Sequence, residues 1–91
     1  MAAMKLKAGE EIEFLVGQAL DIDETCLIII DIAKIDDSGR WPKLWRVRDY
    51  NKGQQEILVP SGVFFVVYGG FKLSIDSYAQ GIYKIKCENL E

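Results

Sequence analysis

The chain is expected to fold as an all-β domain, a small curled sheet or barrel of about six strands with little or no helix. Three observations point there. Short runs of β-branched and aromatic residues recur along all 91 residues, each fenced by turn residues such as Asp36-Asp37-Ser38-Gly39, Pro60-Ser61-Gly62 and Gly69-Gly70. Several runs alternate apolar and polar residues with period two, the pattern of a strand with one wet face. No stretch of useful length carries helical periodicity. The best candidate, residues 76–80, spans about one or two turns at most.

Taken in order, residues 1–8 read as a flexible leader, lysine-bearing but without the apolar stretch of a secretion signal. Residues 11–16 alternate, placing Ile12, Phe14 and Val16 on one face. Gly17 marks a bulge or sharp bend through which this first strand continues to Ala19 and Leu20. Asp21, Asp23 and Glu24 then make a polar turn. Residues 26–35 form the second strand, and its apolar succession from Leu27 to Ile30 marks a strand covered on both faces. Asp31 interrupts that run. A carboxylate there needs solvent, Lys34 or an arginine across the sheet.

Asp36-Asp37-Ser38-Gly39 turns the chain into a third strand, residues 43–50. Trp45 and Val47 share one of its faces; Leu44, Arg46, Arg48 and Tyr50 share the other. Asn51-Lys52-Gly53 ends it, and residues 57–59 make a short fourth strand stopped at Pro60. Residues 63–68 are the fifth and most hydrophobic strand. Left bare, such a run invites edge pairing, so it belongs at a sheet centre or under a partner chain. Gly69-Gly70 joins it by a two-residue primed turn to residues 71–76. Residues 82–87 are the last strand, with Tyr83, Ile85 and Cys87 on one face, and Leu90-Glu91 reads as a cloning remnant.

A long bent first strand beside a basic third strand resembles the oligonucleotide-binding-type (OB-like) barrel. Residues 51–56 leave no room for the helix usually found between its third and fourth strands. An SH3-like barrel needs no such helix but usually has shorter strands. Both are likenesses of architecture and imply no function.

Length and composition limit the function classes. Residues 1–91 are expected to be a single domain, which at this size buries roughly 60–65% of its unfolded surface. The longest apolar run, residues 63–68, is far short of the ~20 residues of a membrane helix, so no membrane partner is expected. With two cysteines and no histidine, a Cys/His zinc site is excluded. Cys26 and Cys87 are expected as reduced core residues, in keeping with the cytoplasmic location assigned to a chain without a signal.

Catalysis is not expected. There is no Gly-x-Ser-x-Gly elbow, no phosphate-binding glycine loop and no histidine base. No cofactor is expected, and no metal. Asp21-Ile22-Asp23-Glu24 lacks the spacing and inner glycine of a calcium loop.

The net charge of −3 is uneven. Residues 1–37 carry −6, residues 38–56 carry +3 and the remainder balances. That basic segment holds the candidate ligand-binding residues Arg40, Trp41, Arg46, Arg48, Tyr50 and Lys52, cations for an anionic ligand beside aromatic faces for stacking. Tyr68, Phe71, Tyr78 and Tyr83 flank the C-terminal hairpin, with Phe71 assigned by alternation to the core. The expected function is a non-catalytic interaction domain that binds a protein partner or self-associates. Single-stranded nucleic-acid binding through the third strand is the alternative, less favoured because the rest of the chain is acidic.

Overall fold

Alternation sorts the side chains into an inner and an outer set, and two sheets stack on their inner sets. A computed structural model describes residues 2–51, 55–79 and 81–90, with Gln55 as backbone only. Nine strands form among them: β1 (Met4–Leu6), β2 (Glu11–Phe14), β3 (Ala19–Ile22), β4 (Cys26–Ile35), β5 (Pro42–Asp49), β6 (Gln55–Pro60), β7 (Phe65–Val67), β8 (Phe71–Ala79) and β9 (Ile82–Asn89). One sheet runs β1-β3-β4-β5-β6 and the other β2-β9-β8-β7. Neighbours are antiparallel except β1 and β3, which run parallel with Leu6 opposite Ile22.

The all-β class and the curled sheet are borne out, but no closed barrel forms among the described residues. Nine strands replace the expected six or so for two reasons. Residues 4–6, assigned to a flexible leader, form β1 and bury Leu6 completely. The expected first strand divides at Gly17, whose φ of +87° lets the chain leave one sheet as β2 and enter the other as β3. The Gly17 N–H donates to Ile30 O at 2.9 Å, which anchors this corner to β4.

Between the sheets lies one apolar core. Ile28, Ile30, Trp45 and Val47 face Leu73, Ile75, Tyr83 and Ile85, and no polar or charged side chain is buried among the described residues. At its middle three rings meet. Trp45 of β5 sits edge-on to Tyr83 of β9 at 5.0 Å and 88°, and tilted against Phe14 of β2 at 6.0 Å. Such pairs contribute beyond their buried area because ring edges and faces carry opposite partial charge. Cys26 and Cys87 are both free and buried. Burial first, then the carboxylates of Asp49 and Asp21, pushes the Cys26 thiol up to about 11. Burial likewise raises Cys87. Neither thiol ionises at neutral pH, so both behave as small core hydrophobes.

Three local expectations change. The apolar succession in β4 is covered on one face only: Ile28 and Ile30 are buried, while Ile29 is half-buried and Leu27 is 39% exposed. Among the described residues no second layer lies on that outer face, where Arg48 stands opposite Ile29. The run at 63–68 is not central, because β7 is an edge strand. The glycine turn after it is a three-residue loop, since Val67 pairs with Phe71 and Gly70 N–H donates to Val67 O at 3.1 Å. Two successive positive φ values, +94° and +83°, require Gly69 and Gly70 there. In keeping with the expected lack of helix, residues 76–79 continue β8 as strand.

The β4–β5 hairpin turns where expected. Asp36 Oδ1 accepts from the Ser38 hydroxyl, from Ser38 N–H at 3.0 Å and from Trp41 N–H at 3.4 Å. These bonds, the Ser38 hydroxyl foremost, hold the Asp36 carboxyl below its ordinary value of 3.8. A depressed folded-state value stabilises the turn above pH 3.8 and is lost as pH falls through the lower, folded value. In an NMR titration Asp36 is expected to protonate below its ordinary 3.8, with the Ser38 and Trp41 amides shifting at the same midpoint. For the core, Trp45→Ala is expected to cost about 3–5 kcal/mol in urea unfolding. That is a large share of the ~5–15 kcal/mol available to such a domain. Trp45→Phe is expected to cost much less.

Candidate functional site

Three surfaces carry the residues that chemistry would use. The first is the outer face of the five-stranded sheet. Strand alternation puts Arg46 and Arg48 there, each half-buried, and Tyr50 follows at the strand's end with its N–H donated to Leu27 O at 3.0 Å. The expected convergence of Arg46, Arg48 and Tyr50 is present. It is not an open cation cluster, because the hairpin register places Glu56 of β6 opposite Arg48. Glu56 Oε2 accepts from Arg48 Nε at 3.2 Å, and Oε1 lies 3.6 Å from Arg46 Nε. Glu56, then Tyr50, holds the Arg48 guanidinium further above its already high value. Asp31 stands directly opposite Arg46 on β4, an arginine across the sheet as expected.

The second surface is the tip before β5. Arg40 is exposed on the turn and Trp41 is half-buried beside it. Trp41 lines an open depression of about 260 Å³ with Pro42, Ser61 and Ser77. The Ser61 hydroxyl donates to Pro42 O, so it is already engaged in tying β6 to β5. Along β5, Trp41 stands roughly 16 Å from Arg46 at strand rise, so the candidate residues divide into two groups. Lys52 lies outside the described residues.

The third surface is the flank on which both sheets end. β1 packs beside β2, and the other two terminal strands, β6 and β7, are joined in sequence by residues 61–64. Ile57 and Leu58 of β6 and Val63, Phe64, Val66 and Tyr68 around β7 are all between 42% and 56% exposed. None is charged. The neighbouring outer face of the four-stranded sheet differs: Lys72 lies 3.9 Å from Glu88, and Glu13 and Asp76 both stand opposite Lys84. Of the aromatics expected around the C-terminal hairpin, Phe71 and Tyr83 are buried, Tyr68 lies on this flank, and Tyr78 is exposed under Lys84 Nζ at 3.7 Å.

Among the described residues no three acidic or cysteine side chains stand together as a metal site. Asp21 and Asp23 accept from backbone amides instead, Glu24 N–H at 3.0 Å and Ala8 N–H at 3.2 Å. No helix among those residues is long and apolar enough to cross a membrane. Sequence reasoning missed Glu56, whose position depends on the β5–β6 register. It flagged residues 63–68 without finding that Val63, Phe64, Val66 and Tyr68 lie exposed at a sheet edge. Compared with protein-family models, curated proteins and solved structures, the chain matches none.

The arginine surface generates one expectation. Glu56→Gln is expected to leave the urea midpoint almost unmoved, as exposed ion pairs contribute little. It is also expected to create low-salt binding of single-stranded oligonucleotide at Arg46 and Arg48, read by NMR shifts of their side-chain Nε–H groups, which the parent chain does not show.

Proposed function

We propose that this chain is a non-catalytic interaction module that binds protein through the flank formed by β6 and β7. The observation that carries the reading is four large uncharged side chains, Val63, Phe64, Val66 and Tyr68, each between 44% and 55% exposed, on and beside the terminal strand β7. Apolar area gathered in one place is what protein-binding surfaces present and what isolated surface hydrophobes do not. An open strand edge adds main-chain donors and acceptors that an extended partner segment can pair.

The rival reading, single-stranded nucleic acid on Arg46, Arg48 and Tyr50, is weakened by Glu56. That carboxylate accepts from Arg48 Nε and lies 3.6 Å from Arg46 Nε, and Asp31 opposite Arg46 adds a second negative charge to the same face. A cytoplasmic location belongs to the same proposal, supported by two unbonded thiols.

The test is an NMR titration of labelled protein with an extended, uncharged peptide rich in Val and Phe, run beside a dilution series without peptide. The amides that respond to peptide or to protein concentration are expected to lie at residues 57–58 and 63–68. Silence at those positions, with shifts at Arg46, Arg48 and Tyr50 on adding single-stranded oligonucleotide, overturns the reading in favour of nucleic acid.

A further inference from the structure

We propose that the partner on this flank is a second copy of the chain, joined by antiparallel pairing of β7 with its own symmetry mate about a two-fold axis through Val66. The inference rests on the interaction reading above and deepens it by naming the occupant.

The first ground is a comparison of the four sheet edges. Exposed edges are ordinarily protected by charge, proline or brevity. β1 carries Lys5, β2 carries Glu11 and Glu13, and β6 carries Glu56 and ends on Pro60. Residues 63–71, around β7, contain no charge and no proline. This edge has neither charge nor proline, and its one protection is the three-residue length of β7.

The second ground is backbone direction. Val67 O accepts from Gly70 N–H on the β8 side of the strand. Polar groups alternate along an antiparallel strand, so the N–H and C=O of Val66 point to the open edge. Tyr68 N–H is already donated to Asp49 Oδ2 at 3.3 Å. The ladder between copies is therefore anchored on Val66.

The third ground is register. An axis through Val66 sets Val66 against Val66, Phe64 against Tyr68 and Phe65 against Val67. Inward residues meet inward ones, so both cores continue through the joined sheet; an axis between two residues would set inward against outward. On the outer face Phe64, Val66 and Tyr68, which are 55%, 44% and 46% exposed, would bury one another as cross-strand pairs. Two chains of net charge −3 meet here without a like-charge contact. The nearest charges are Asp49, whose Oδ2 accepts from Tyr68 N–H at 3.3 Å, and Lys72, opposite Val66 with its Nζ 5.1 Å from the Phe64 ring. Across the axis the backbones of the two Lys72 residues stand three strand spacings apart, roughly 14 Å.

Sedimentation of the full chain from micromolar to millimolar concentration is expected to show conversion from 10.3 kDa to twice that mass. Val66→Glu places a carboxylate beside Lys72 within one copy but two carboxylates together across the axis. It is expected to weaken self-association at least about tenfold with an unchanged urea midpoint. Val66→Lys should do the same, and an equimolar mixture of the two variants should recover the dimer, because only a Val66–Val66 contact pairs the opposite charges. A parent chain that stays monomeric at millimolar concentration overturns the dimer, and so does a dimer indifferent to both variants or one broken by Leu58→Glu instead. If the peptide still shifts residues 63–68 of a strict monomer, the module reading stands and only the second copy is lost. If neither occurs, both fall.

Discussion

The contact of Trp45 with Phe14 and Tyr83 is the joint on which the molecule depends. Each sheet alone has one apolar face and would be unstable in water, since a single small layer cannot hide that face from solvent. Trp45 comes from β5, next to the edge of the five-stranded sheet, and the other two rings come from adjacent strands of the four-stranded one. Three large rings at one place fix both the spacing of the sheets and their alignment. The aliphatic residues on either side, Ile28 and Ile30 against Leu73 and Ile85, then fill the remaining space without any buried polar group to satisfy.

Everything outside that joint follows from how each outer surface is neutralised. On the four-stranded sheet, lysines and acids alternate across strands, so the face is wet and balanced. On the five-stranded sheet, Glu56 and Asp31 counter Arg46 and Arg48, turning a basic strand into a local ion-pair network of modest strength. The β6–β7 flank is where neither strategy is used. Around β7 the exposed side chains Val63, Phe64, Val66 and Tyr68 are large and uncharged, and this strand is the last of its sheet. A fold that places charge or proline on every other edge and neither on this one presents a surface suited to association rather than to chemistry.

The alternating pattern determined much of this by itself. Side chains two apart must share a strand face, so Trp45 with Val47, and Tyr83 with Ile85 and Cys87, were legible as inward sets before any coordinates. Turn chemistry was equally local: Asp36 with Ser38, and Gly69 with Gly70, act on neighbouring backbone, and both hairpins lie where those residues stand. The convergence of Arg46, Arg48 and Tyr50 was legible for the same reason.

Only the tertiary structure decided which strands are neighbours and which are last. Pairing order is a non-local property, so the sequence alone did not place Leu6 beside Ile22 or set Glu56 against two arginines. Nor does a run of apolar residues record whether its second face is covered. Leu27 and Ile29 in β4, and Val66 in β7, have the composition of covered residues yet meet solvent because no further layer or strand lies beyond them. Local propensity says that a segment is extended and which residues share a face; the stacking of two complete sheets decides which faces and edges remain open to a partner.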